Sequence, residues 1–229
     1  MESQEKFNGA ENTSDEIKAL KNEIDILNEE INSLKSEIEN FKEILDEKNK
    51  KHPPKRYLTL NDVLSIGEKY YDEARWNTYY VEMIEELKKM ENIGSVLEIG
   101  PYKAPFIEGC DVIDKVDLSK DFPMPANRVI VHDCRIVPYP IEDKKYDLVI
   151  ASQVLEHLGF YGEQQEIFKE IARISKRAII GLPYKWNRPL ARDHHMIDEE
   201  VFDAWQGEFK PVHERKSEWT ILRIYEFGD

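Results

Sequence analysis

Cysteine is scarce in this chain of 229 residues; there are two, Cys110 and Cys134. They show no metal-ligand spacing and are too few for a disulfide framework, so the sequence reads as a reduced, cytoplasmic protein with no metal. No apolar run approaches the ~20 residues needed to span a bilayer. The opening Met1-Glu2-Ser3-Gln4-Glu5 is acidic and polar where a secretory signal is basic and then apolar. Membrane insertion is therefore not expected. Positive charge is also in deficit: 32 Lys and Arg against 46 Asp and Glu give a net charge of -14. Such a chain repels phosphate backbones, which argues against general nucleic-acid binding. Glycine is missing where a dinucleotide loop needs it. No Gly-x-Gly-x-x-Gly opens the helix after the first expected strand, which sets aside a nicotinamide oxidoreductase.

What is present divides into two patterns. Hydrophobic residues make up 41% of the chain, enough for a packed core, but 34% are charged, more than a compact domain alone needs. The excess lies near the start. Residues 1–12 are polar and expected to be a disordered tail. Thr13 and Glu16 form a capping-box pair that predicts a helix start. From there Ile17, Ile24, Ile31 and Ile38 alternate with Leu20, Leu27, Leu34 and Phe41 in steps of four and three. This is the 3.5-residue repeat of a left-handed coiled coil, with Ile at a and Leu at d favouring a parallel pair. Glu16, Glu30 and Glu37 at g would face Lys21, Lys35 and Lys42 at e of the other helix. The expected assembly is a parallel homodimer; no polar a residue acts against a trimer. The bland alternative is one amphipathic helix folded onto the rest of the chain. The coil is assigned to 13–50 and a charged linker containing Pro53-Pro54 to 51–56.

Residues 57–229 read as a single α/β domain. Helical patterns at Leu60–Tyr71 and Thr78–Met90 precede strand-like runs at Ser95–Gly100, Val112–Leu118, Arg128–His132, Tyr146–Ser152 and Arg177–Leu182, with a helix over Glu163–Ser175. Strands joined by crossovers imply a parallel sheet. Phe209–Arg215 and Thr220–Phe227 lie close together and predict an antiparallel pair at one edge. In open sheets of this kind ligands sit beyond the carboxyl ends of the strands. There the sequence places Glu98-Ile99-Gly100, Asp117 roughly twenty residues later, Asp133, and Ser152-Gln153 followed by Val154-Leu155-Glu156-His157. A carboxylate at about that remove from the first strand commonly accepts from ribose hydroxyls.

Over Val96 to Pro183 the chain resembles the class I S-adenosylmethionine-dependent methyltransferases, of the type 11-like kind. That resemblance implies a Rossmann-like, mostly parallel seven-stranded sheet with an antiparallel terminal pair, and S-adenosylmethionine as cofactor. Carried over, it puts Glu98 and Gly100 beside the methionine part of the cofactor, counts Tyr102 of the same loop among the cofactor-binding residues, and puts Asp117 on the ribose hydroxyls. Asp133 and the backbone of Cys134 fall on the adenine, and Ser152 and Gln153 near the transferred methyl. Two features depart from the family: Tyr102 and Ala104 stand where it often has glycines, and the usual Lys-Pro-Gly-Gly before the fifth strand is missing. Asp117 and Asp133 also have a plainer reading as strand-end turn formers, Gly100 as a tight turn, and Glu156 and His157 as residues that cap or stabilise a helix.

The acceptor side is read from Tyr184, Trp186 and His157 as substrate-binding residues. His194 or His195, oriented by Asp193, is the candidate base for an O-methylation; the plainer reading is that these histidines brace a loop. Flat aromatic faces suit a sugar. A loose resemblance to methyltransferases of bacterial polysaccharide pathways points to a sugar or glycan hydroxyl as acceptor. The alternatives are another small metabolite, or a non-catalytic coiled-coil scaffold with a degenerate fold of this class.

Overall fold

The computed structural model describes residues 5–51, 55–159, 162–186 and 196–228. Two compact units divide at Pro53–Pro54.

The first unit is a single helix, α1 (Glu5–Lys51), 47 residues long. It begins ahead of the expected start at Thr13, so most of the predicted disordered tail is helical. Asn8 and Gly9 fall inside it, because a helix that is already propagating adds each further residue at little cost. Along α1 the heptad residues Leu20, Ile24, Leu27, Ile31, Leu34, Ile38 and Phe41 are 47–62% exposed. An apolar stripe of this length left open to water is the surface that a second helix covers in a coiled coil. No helix among the described residues is long and apolar enough to cross a membrane.

The second unit carries the expected sheet. Its strands are β1 (Val96–Ile99), β2 (Asp111–Asp114), β3 (Arg128–Val131), β4 (Leu148–Ser152), β5 (Arg177–Pro183), β6 (His213–Lys216) and β7 (Thr220–Glu226). They lie in the order β3-β2-β1-β4-β5-β7-β6. The first five are parallel, β7 runs antiparallel to β5, and β6 antiparallel to β7. β2 ends at Asp114 rather than Leu118, and β6 starts at His213 rather than Phe209. The exposed edge strand β6 reads His-Glu-Arg-Lys, a charged edge that discourages further strand pairing.

Alternation along the strands divides the core between two faces. Leu97, Ile99, Val149, Ala151 and Ile180 face α5 (Glu163–Ile174) and α6 (Glu199–Gln206), meeting Phe168, Ile171 and Phe202. Val96, Val112, Leu148, Ile150 and Ile179 face the other way, toward α2 (Leu60–Ser65) and α4 (Val81–Lys89). α2 stops at Ser65 instead of reaching Tyr71. A second helical run starts at Asp72, whose side chain caps α3 (Glu73–Arg75) by accepting from Arg75 N–H. It continues through a wide π-helical turn, Trp76–Tyr80, into α4. Such turns insert an extra residue and re-aim the side chains on them. Here the insertion falls where Tyr79 and Tyr80 approach β1.

No helix follows β1. Residues 100–110 form a compact loop, pinned by Leu58 N–H to Phe106 O at 2.9 Å and by a bridge between Tyr57 and Ile107. β2 leads to β3 through one 3-10 turn, Ser119–Asp121.

Candidate functional site

The chain leaves β1 toward β2 and β3 on one side, then returns to place β4 on the other. A parallel sheet opens a crevice at such a reversal, beyond the carboxyl ends of the two central strands. Gly100 and Gln153 stand at those two ends. Between them opens a cleft of about 610 Å³, well within the range of small-ligand sites. β2 contributes Ile113, Asp114 and the following Lys115; the end of β3 contributes His132, Cys134 and Arg135; the segment after β4 contributes Val154, His157 and Leu158. Glu68, Tyr70 and Tyr102 close the remaining side.

Gly100 has φ +61° and donates its N–H to Ile113 O at 2.9 Å. A Cβ on it would lie 3.1 Å from Val154 Cγ2, so glycine is required both by the conformation and by the space. Tyr102, at φ +54°, stacks on Tyr71 with ring centroids 6.4 Å apart and forms a wall without filling the cleft. Gln153 also adopts a left-handed conformation, φ +56°, and donates its N–H to Gly181 O at 2.8 Å. A strained non-glycine residue at a strand tip is held there by its surroundings, an arrangement that clusters at functional sites.

Several expected site residues meet here: Gly100, Tyr102, Gln153, Cys134 and His157 all line the cleft. Glu98 and Ser152 line a second, smaller cavity that shares Gly100, Tyr102 and Gln153 with it. Glu98 is buried on the helix-α4 face of β1, and its Oε2 accepts Phe106 N–H at 2.8 Å. Burial pushes its carboxyl up to about 8.

Two expected residues are elsewhere. Asp117 lies past the end of β2, fully exposed, accepting from Ser119 N–H and Oγ at 2.9 and 2.6 Å; the strand-tip carboxylate in the cleft is Asp114. Asp133 is absent from the described wall and is paired with Arg135 through Nε and Nη2. Those bonds hold it well below the usual carboxylate range. Its neighbours His132, Cys134 and Arg135 form the wall instead. Cys134 is a neutral thiol, its pKa pushed up to about 11 by burial.

On the predicted acceptor side, Tyr184 is held away from the cleft. Its hydroxyl donates to Glu199 Oε1 at 2.8 Å, and Lys185 and Lys216 lie against its ring. Trp186 is half-buried and is not part of the described cleft wall. Asp193, His194 and His195 lie outside the described residues. His157 is in place, half-exposed, with Nε2 3.7 Å from Glu156 Oε1. Glu156 itself is buried and pushed up to about 8 by burial, against the opposing charge of Arg75. Sequence reasoning missed Asp114, Lys115, Arg135 and the tyrosines of 70–80. The density of aromatics between Tyr70 and Tyr80 was the available signal. Among the described residues no group of three or more His, Cys, Asp or Glu is placed to hold a metal ion.

Residues 108–178 match the family model described as a methyltransferase domain. No curated protein matches the chain by sequence. Among solved structures, the PH0226 protein from Pyrococcus horikoshii OT3 is similar with a TM-score of 0.50 and 16% identity, over 70% of this chain and 92% of that one. An S-adenosylmethionine-dependent methyltransferase from Aquifex aeolicus gives a TM-score of 0.50 and 14% identity, over 72% and 98%. At these identities the likeness is one of fold.

Proposed function

We infer that this chain, a methyltransferase by its matched domain and its fold, uses S-adenosylmethionine as methyl donor and methylates a sugar or glycan hydroxyl. The observation that carries the donor is the cleft at the sheet reversal. It is large enough for a nucleoside, apolar along Ile113, Val154 and Leu158, and carries Asp114 at a strand tip. That lining suits a nucleoside: Asp114 would accept from the ribose hydroxyls, the apolar side chains of Ile113, Val154 and Leu158 would take the flat base, and Gly100 would let the chain of the ligand pass close to the backbone. When bound, S-adenosylmethionine supplies a methyl on a sulfonium, transferred in line to the acceptor.

The protein's own part is alignment and proton removal. Gln153, at the junction of cleft and small cavity, positions the acceptor end. His194 or His195, oriented by Asp193, is the candidate base from the segment beyond β5; among the described residues the alternative is His157, whose Nε2 lies 3.7 Å from Glu156 Oε1. A hydroxyl acceptor requires such a base because its own pKa lies far above neutrality. The polysaccharide setting rests on the loose family resemblance alone. The heptads of α1 and their complementary g and e charges support a parallel homodimer.

Isothermal titration with S-adenosylhomocysteine tests the donor, followed by an acceptor screen with labelled methyl donor. One site per chain, with a thermal shift that grows with ligand concentration, is expected. No heat and no shift at millimolar ligand would sink the donor reading. With an acceptor in hand, near-wild-type turnover in each of His157→Ala, His194→Ala and His195→Ala would remove histidine as the base.

A further inference from the structure

The turn after β1 carries a strain that turning alone does not require. Tyr102 holds φ +54°, a left-handed conformation that is unfavourable for a residue with a Cβ and open to glycine. Glycine at 102 would make the same turn; what it would lack is the ring. The Tyr102 ring lies nearly parallel to that of Tyr71, centroids 6.4 Å apart and planes 11° apart, and Tyr71 is buried. The next residue acts on the same neighbour: Lys103 N–H donates to the Tyr71 hydroxyl at 3.1 Å.

Tyr71 belongs to a strap, residues 66–72, that runs from the end of α2 to the cap of α3. Its Glu68 and Tyr70 line the cleft. Near one end stands Gly67, at φ +73° with no atom within 4 Å of a Cβ built on it, so the chain has room to turn there. The polar fastening comes from Lys103. Its Nζ meets Glu68 Oε1 at 2.5 Å and, from the β2–β3 connection, Asp121 Oδ2 at 3.1 Å. The Lys103 side chain is only 15% exposed, and its hydrogen bonds to the two carboxylates hold its pKa above the ordinary value. One ammonium thus ties three segments together: the strap, the loop after β1 and the turn Ser119–Asp121. Without it, Glu68 and Asp121 would face each other as like charges and push the strap outward.

We propose that Tyr102 and Lys103 are positioning residues, a clasp that holds the strap against the cleft and sets how fast the methyl donor and its product leave. The inference rests on the donor reading above, since that ligand is what the strap retains. It also gives a reason for a tyrosine where glycine would turn more easily: the ring fastens the outer wall of the cleft through Tyr71, and the neighbouring ammonium fastens it through Glu68.

The experiment uses the full chain as wild type, Lys103→Met, Lys103→Arg and Tyr102→Gly, with two readouts. Hydrogen exchange of the ligand-free proteins, followed by mass spectrometry, reads the strap; the Tyr71 N–H, bonded to Glu68 O at 2.9 Å, is its reporter. Stopped-flow displacement of S-adenosylhomocysteine reads release. Lys103→Met and Tyr102→Gly should speed exchange over residues 66–72 and raise the release rate about 3- to 10-fold, the scale of ion pairs and ring contacts partly open to water. Lys103→Arg, which keeps the charge, should behave nearly as wild type in both. Sodium chloride raised from about 50 to 500 mM should speed release from wild type more than from Lys103→Met, because salt screens a pair that the variant no longer has; a purely structural role for Lys103 would not produce that difference. Faster exchange spread over the whole domain, unchanged exchange over residues 66–72, or faster exchange with an unchanged release rate would each overturn the proposal. A wild type that binds no S-adenosylhomocysteine defeats the donor reading instead, and the exchange rates then decide by themselves whether the clasp holds the strap.

Discussion

The buried carboxyl of Glu98 makes the stability of the domain fall as pH rises. Its ordinary value of 4.5 is pushed up to about 8 by burial. Below pH 4.5 the folded and unfolded chains both hold the proton. Between 4.5 and about 8 the unfolded chain releases it and the folded chain keeps it, so folding is favoured less with each unit of pH. One proton corresponds to about 1.4 kcal/mol per unit, and the whole interval to about 5 kcal/mol. Asp62, Asp133 and Glu199, whose values are lowered, act in the opposite sense but below the ordinary carboxylate range, outside this window. Glu98→Gln keeps an oxygen for the Phe106 N–H and removes the titration. Urea denaturation of wild type and variant, followed by tryptophan fluorescence at pH 5, 6 and 7 and equal protein concentration, isolates the effect, since contributions from α1 and from the histidines cancel in the difference. The variant should gain on wild type by about 1.4 kcal/mol per unit, or about 3 kcal/mol across the range. A gap that does not change with pH would refute the reasoning.

The two strand-tip carboxylates separate by position. Asp114→Ala should weaken S-adenosylhomocysteine about tenfold or more, by the loss of charged hydrogen bonds worth about 1.5–3 kcal/mol, whereas Asp117→Ala should bind as wild type does; calorimetry reads both. For the rod, light scattering should give a dimer mass for the full chain and a monomer mass after deletion of residues 1–50, and Leu27→Asp with Leu34→Asp should do the same without truncation. A monomeric full chain would contradict the coil.

The sequence reveals periodicity well and contact poorly. The stripe from Ile17 to Phe41 is visible because a 3.5-residue repeat leaves a one-dimensional signature, and β1 to β5 and β7 because their apolar runs alternate with turns and helices; β6, His-Glu-Arg-Lys, has no apolar run to mark it. Asp117 follows from its spacing and from a second strand read as running to Leu118, since a remove of roughly twenty residues assumes a full helix between the first two strands. That helix is missing and β2 ends at Asp114, the strand-tip carboxylate that lines the cleft. Tyr184 looked like a substrate platform because its partners are remote: Glu199 on α6 and Lys216 on β6 claim its hydroxyl and its ring face, and nothing local in the sequence announces that capture. Asp133 is tied to Arg135 only two residues on. That pairing was visible in the sequence, but which residue faces the cleft depends on the turn.

The departure in the glycine loop and the buried acid of β1 have one explanation. A glycine-rich loop serves a chain that must turn tightly, admit a phosphate or a nucleoside tail, and start a helix at once. Here the chain turns at Gly100 and starts no helix, so the positions of Tyr102 and Ala104 are free of that demand. The loop must instead satisfy its backbone by other means, since buried N–H groups left unpaired are costly. Glu98 accepts from Phe106, Ala104 donates to Pro101 O, and the Tyr71 hydroxyl accepts from Lys103 N–H. The carboxylate expected to touch the cofactor is thus engaged in holding the loop.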